Sequence, residues 1–188
     1  MMTFEEALKM EERMRPFVEE ILRRYPFDIK KVVFRGMKGK QDDVDMLDKL
    51  GFDALLFVGR GILTLQVKCM TPHNFKVWGM ERKSFVLGDK NDIIHDGKRC
   101  KDTHIVFPDL LLTGYESVPN SNRISPFVLI HWPLLAFRIK PEMVRVEANS
   151  QKKSQLFVWM DYEKLIRRNV IVGDKTSKLI CDFSAWKA

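Results

Sequence analysis

Apolar residues recur along this chain in two different rhythms. Phe4, Ala7, Leu8, Met14, Phe17, Val18, Ile21, Leu22 and Tyr25 fall at helical spacing behind the capping-box pattern Thr3-Phe4-Glu5-Glu6, which predicts an N-terminal helix. Pro16 either kinks that helix or opens a second one at its first turn. Residues 28–35 then read as a strand, 36–51 as a polar loop with at most a helical turn, and 52–58 and 62–69 as two apolar, β-prone segments. Gly59-Arg60-Gly61 between them supplies the permissive dihedrals of a hairpin turn.

The second hairpin strand alternates. Ile62, Thr64, Gln66 and Lys68 share one face, and Leu63, Leu65, Val67 and Cys69 the other. Asp53 on the first strand joins the polar face in two registers: a two-residue turn sets it opposite Gln66, and a four-residue loop sets it opposite Lys68. A three-residue loop without a bulge sets it opposite Val67 and reverses its face. The productive register is expected, because it also aligns Leu55 and Phe57 with Thr64 and Ile62.

Past Met70 the pattern turns β-rich. Residues 75–87 read as two strands around Gly79, His104–Phe107 and Leu110–Gly114 as buried strands interrupted at Pro108, and Tyr115–Ser125 as a loop free to move and to touch a substrate. Phe127–Trp132 and Leu134–Ile139 read as strand segments broken at Pro133, and 155–160 as another strand. Asp161 is expected to cap a short basic helix ahead of a tail of short β segments.

A chain of 188 residues with 45% hydrophobic content suits one domain with a substantial core. The expected division is a core at 3–115 and a β-rich extension at 126–188. No stretch reaches the ~18–20 apolar residues of a membrane helix, and the start is too acidic for a signal peptide, so a soluble intracellular, cytoplasmic protein is expected. Thirty-two basic against 25 acidic residues leave a net charge of +7, which suits a polyphosphate partner. Lys30, Lys31, Arg35, Lys38 and Lys40 precede the hairpin, and Lys76, Arg82 and Lys83 follow it.

Phe52-Asp53 followed on the neighbouring strand by Gln66-Val67-Lys68 resembles the PD-(D/E)xK nuclease superfamily, in its Gln-x-Lys form. The resemblance covers residues 43–70, or 3–70 with the preceding helix and strand. It implies a restriction-endonuclease-like α/β or α+β fold, a mixed sheet flanked by helices, with the β segments after residue 70 as additions where such nucleases usually continue with a helix. It implies Mg²⁺ or Mn²⁺ held by Asp53, the Gln66 amide oxygen and the Val67 carbonyl, with Lys68 orienting water or neutralising charge. Gln66 replaces the commoner Glu, and a neutral amide binds a hard cation more weakly, so an upstream acid is expected to compensate: Asp45 first, Asp43 second, Asp48 after them. By the same resemblance a first-helix Glu lies near the metal, which nominates Glu11 first and Glu19 and Glu20 behind it.

The expected activity is metal-dependent phosphodiester hydrolysis, in DNA rather than RNA, with Arg35, Lys38, Lys40 and Lys76 on the nucleic acid. A stand-alone or partner-directed enzyme, of phage or viral origin, fits that compactness, and a homodimer is one of the oligomeric states left open. The alternatives are a non-catalytic nucleic-acid-binding or assembly module with a nuclease-like hairpin, and a β-rich interaction domain. Cys69…His73 and Cys100…His104 are not strong zinc signatures, so zinc is not expected. His95 and His131 read as structural or surface residues, and Trp78, Trp132, Trp159 and Trp186 chiefly as packing.

Overall fold

A computed structural model of the chain describes residues 4–25, 28–35, 52–70, 84–89, 108–118, 120–148, 155–172 and 181–182. Helix α1 (Phe4–Leu22) runs unbroken through Pro16. Pro16 and Glu12, the residue whose carbonyl loses its intrahelical partner, are both exposed, so water can satisfy that carbonyl and the helix continues. Met14, Val18, Ile21 and Leu22 are buried on the opposite face.

That face lies on the large sheet. Strands β1 (Ile29–Phe34), β2 (Ala54–Val58), β3 (Gly61–Met70), β5 (Leu110–Glu116), β6 (Ile124–His131) and the two-residue β9 (Cys181–Asp182) are ordered β1-β2-β3-β5-β6-β9. β3 and β5 are parallel and the other neighbours antiparallel, so the sheet is mixed. A parallel pair needs a crossover. Here the crossover carries β4 (Ser84–Asp89), which leaves the large sheet and joins β8 (Leu156–Asp161) and β7 (Arg145–Ala148) in an antiparallel sheet ordered β4-β8-β7.

Two cores result. α1 covers Ala54, Leu56, Leu65, Leu110, Leu112 and Leu129 on one face of the large sheet. On the other face Leu111, Tyr115, Val128 and Ile130 pack against Phe85, Val158 and Trp159 of the small sheet. The Thr113 hydroxyl donates to the Val86 carbonyl at 2.8 Å and the Tyr115 hydroxyl to the Ser84 carbonyl at 2.7 Å, so the two sheets are joined by buried hydrogen bonds. β5 is therefore buried at every position, whereas in β2 only Ala54 and Leu56, and in β3 only Leu65, are fully buried. The half of the sheet carrying Gln66 and Lys68 is covered on one side and partly open on the other.

Three expectations are corrected. Leu134–Arg138 is helical: α2 (Trp132–Arg138) has Pro133 in its first turn, and the His131 imidazole accepts from the Leu134 N–H at 3.4 Å. Trp132, Leu135 and Ile139 then turn inward at helical spacing while Phe137 is 82% exposed. The loop expected at 115–125 shrinks, because Tyr115 and Glu116 belong to β5 and Ile124 and Ser125 to β6. Nor does the chain divide into a core and an extension: β6 and β9 complete the large sheet, while β4, from the first half, pairs with β8.

Helix α3 (Tyr162–Arg167) follows Asp161 as expected, but the Asp161 carboxylate makes no capping bond and accepts the Ser84 hydroxyl at 2.6 Å instead. Trp132 and Trp159 are core residues.

The shortened loop is tied to α1. Arg13 donates from Nη2 to the Glu116 carboxylate at 2.6 Å and from Nε to the Ser121 carbonyl at 3.1 Å. The Glu116 side chain is 5% exposed and that of Arg13 28%. Glu116→Ala leaves the half-buried guanidinium without its anion and is expected to cost about 2 kcal/mol, discounted from the fully buried case for solvent screening. Urea denaturation checks it.

Candidate active site

The hairpin turn contains two residues. Val58 pairs with Gly61 and Leu55 with Thr64, and Gly59 takes φ +46 at the first central position. The register ends at the Ala54–Leu65 pair, and Asp53 sits at a bend just ahead of β2. The main chain and side chain of Asp53 bracket Gln66: the Asp53 N–H donates to the Leu65 carbonyl at 2.9 Å, and its Oδ2 accepts the Val67 N–H at 2.6 Å. On the other flank the Arg35 N–H donates to the Asp53 carbonyl at 2.9 Å, so β1 and β3 both hold this residue.

Two further charges converge from α1 and the end of β1. Arg35 donates from Nε to Glu11 Oε1 at 3.0 Å and from Nη2 to Glu11 Oε2 at 2.5 Å. The same guanidinium lies 3.7 Å from Asp53 Oδ1. Arg15 donates to the Arg35 carbonyl at 2.6 Å and stacks its guanidinium on the Phe34 ring, which fixes the end of the strand.

The Asp53 side chain is 15% exposed, and burial pushes its pKa above the ordinary carboxylate value. The Val67 N–H, the Lys68 ammonium and the Arg35 guanidinium oppose that rise, and the Glu11 carboxylate adds to it. Lys68 is therefore near enough for its charge to act on Asp53. Among the described residues no hydrogen bond takes up the side chain of Gln66 or Lys68, and both are part-exposed.

The structure thus brings the Val67 N–H, Lys68 and Glu11 round Asp53, with Gln66 next to Val67 on β3. Glu19 and Glu20 lie elsewhere, paired with Arg23 at 4.0 Å and Arg24 at 2.6 Å. Helix geometry explains this: Glu19 is roughly 12 Å along the axis from Glu11, and Glu20 is roughly half a turn round. Arg35, expected on nucleic acid, is the ion-pair partner of Glu11. Asp43, Asp45, Asp48, Lys38, Lys40 and Lys76 lie outside the described residues, as do His73, His95, Cys100 and His104. Cys69 is on the face away from Lys68, its thiol pushed up to about 12 by burial first and the Glu116 carboxylate second.

Sequence reasoning named Arg35 as a nucleic-acid contact and missed its ion pair with Glu11. The signal was present: a Glu in the inward phase of α1 needs a cation, and Arg35 stands where β1 runs beside Asp53. It also missed Asp109, whose Oδ2 accepts the Thr64 N–H at 2.7 Å and hydroxyl at 2.9 Å, locking the start of the β3–β5 pair.

No helix among the described residues is long and apolar enough to cross a membrane. Comparison of the chain with protein-family models, with curated proteins and with solved structures returns no significant match.

Proposed function

We propose that this chain is a divalent-metal-dependent nuclease that hydrolyses phosphodiester bonds in DNA, with Asp53, Gln66 and Lys68 as its reacting set. The observation that carries the reading is Asp53: a largely shielded carboxylate, disfavoured in its ionised form, bonded to the Val67 N–H in the middle of the Gln-x-Lys strand. Such a carboxylate favours a nearby cation.

The residues fit a hard ion. Among the described residues Asp53 Oδ1 has its nearest cationic nitrogen at 3.7 Å, beyond hydrogen-bond reach, and the Gln66 amide and the Val67 carbonyl, on the strand that Asp53 bonds, would supply neutral oxygens. Among the described residues no three His, Cys, Asp or Glu side chains cluster, so within them these neutral oxygens and water would complete the shell. When bound, the ion would act as a Lewis acid and lower the pKa of a coordinated water. Asp53, fixed against β3 by the Val67 N–H, would hold the ion. Lys68 neutralises charge developing on the phosphate. Lys30 and Lys31, exposed on β1, attract the strand.

The test is cleavage of linear and supercoiled DNA over a range of Mg²⁺ and Mn²⁺. Lys68→Met is expected to lower turnover about a hundredfold while Mn²⁺ still binds, since it removes a charge that acts on the transition state rather than on the ion. Intact DNA under every metal condition overturns the enzyme reading.

A second reading, a non-catalytic nucleic-acid-binding module, is favoured by one observation. Gln66 is neutral and both Glu11 oxygens are held by Arg35, which leaves Asp53 as the one site carboxylate among the described residues not bound by a guanidinium fork. Salt-sensitive DNA binding without cleavage is its signature.

A further inference from the structure

Glu11 and Asp53 reach the same place from different elements, one on α1 and the other just ahead of β2, with side chains 24% and 15% exposed. Two anions this well shielded repel, and each is left short of water. Between them lies the Arg35 guanidinium, its fork on both oxygens of Glu11 and its Nε 3.7 Å from Asp53 Oδ1. Arg35 is itself only 24% exposed, and its main chain is fixed on both sides, by its own N–H to Asp53 and by Arg15 on its carbonyl. A cation is thus built into the gap between the carboxylates.

We infer that the Arg35 guanidinium is an internal stand-in for the divalent ion: the two compete for the Glu11 and Asp53 carboxylates, and loading the site requires Arg35 to release one of them. This rests on the metal reading above. The physical reason is proximity of like charges. An ion bound to an Asp53 oxygen at about 2.1 Å would sit within a few ångströms of the guanidinium, and the carboxylate charge that holds Arg35 is the charge that would hold the ion.

The inference predicts opposite signs for two properties of one variant. Arg35→Met keeps the length of the side chain and removes its charge. Without metal its midpoint temperature falls, because two shielded carboxylates lose the guanidinium between them, and Lys68 remains to act on Asp53. Its Mn²⁺ Kd, read from the electron paramagnetic resonance of the free ion, falls by roughly tenfold or more relative to wild type. A purely structural Arg35 gives the other pattern, in which the loosened junction of α1 and β1 lowers both stability and Mn²⁺ affinity.

Arg35→Lys keeps the charge and loses the fork, so its gain in Mn²⁺ affinity is smaller, about threefold. It carries the test if the Met variant does not fold. Wild-type Mn²⁺ binding that Asp53→Asn abolishes, with affinity unchanged or weaker in both Arg35 variants, overturns the inference and leaves the metal reading standing. No Mn²⁺ binding in wild type or in either Arg35 variant overturns both. Binding that appears only when Arg35 is replaced supports the competition in its strongest form.

Discussion

Asp53→Asn is expected to abolish Mn²⁺ binding and to lower DNA cleavage by about a thousandfold, while raising the stability of the metal-free protein at neutral pH. The loss follows from the ion: Lewis-acid stabilisation is worth several kcal/mol, and about 4 kcal/mol corresponds to three orders of magnitude in rate. The gain follows from the same burial. Asp53 is shifted upward chiefly because its charged form is desolvated, and the Val67 N–H, Lys68 and Arg35 only partly offset that. Asn keeps a carbonyl oxygen for the Val67 N–H and carries no charge.

The pH dependence fixes the sign. A carboxylate whose folded pKa lies above its unfolded value binds its proton more tightly in the native state. Its contribution to stability is complete below the unfolded pKa, about 3.9 for Asp, and is lost as pH rises through the folded value. Wild type and Asp53→Asn should therefore differ least at about pH 4, and the variant's advantage should grow with pH and then level off. Thermal melts without metal, at intervals from acid to neutral pH, read this directly. An advantage that grows toward acid contradicts the burial argument. A variant that cleaves DNA at the wild-type rate removes Asp53 from the chemistry. A residue that costs stability and supplies function is the expected mark of a site selected for what it binds.

Much of this arrangement was legible because its signals are local. Gly59 permits the positive φ of a two-residue turn, and the alternation from Ile62 to Cys69 fixes which side chains share a face, so the hairpin register and the common face of Gln66 and Lys68 could be read without coordinates. The stripe on α1 was equally plain, and it placed Glu11 in the inward phase ahead of Glu20. Leu134–Ile139 misled because an unbroken apolar run carries both periods, and the decision rests on Pro133 and the His131 cap that precede it. The small sheet was not legible as a sheet, since Ser84 pairs with Asp161 and Phe85 with Met160, across most of the second half of the chain. The Glu11–Arg35 pair was hidden for the same reason: helix and strand each announce themselves, but their contact is a property of packing.

The position of Lys68 beside β5 depends on a residue outside the site. Gly114 on β5 pairs with Cys69 of β3 on one side and with Phe127 of β6 on the other. A Cβ added at Gly114 would lie 2.5 Å from Ile124 Cγ2, 2.6 Å from the Pro126 carbonyl oxygen and 2.8 Å from Phe127 Cβ. Real Cβ atoms do not approach so closely, and two of these neighbours, a carbonyl and a Cβ, move only with the main chain of β6. β6 is buried almost throughout and cannot yield toward solvent. Gly114→Ala is therefore expected to be overpacked at the severe end of such changes, about 3 kcal/mol, which for a chain of this size lowers the midpoint temperature by roughly 10 °C. Relief by a shift of β5 would move Thr113, the partner of Lys68, and break its bond to the Val86 carbonyl. The variant should then lose Mn²⁺ affinity as well as stability, although Gly114 donates nothing to the ion. Stability within 1 kcal/mol of wild type by urea denaturation, at the scale of an ordinary surface change, would show that β5 and β6 pack less tightly than described.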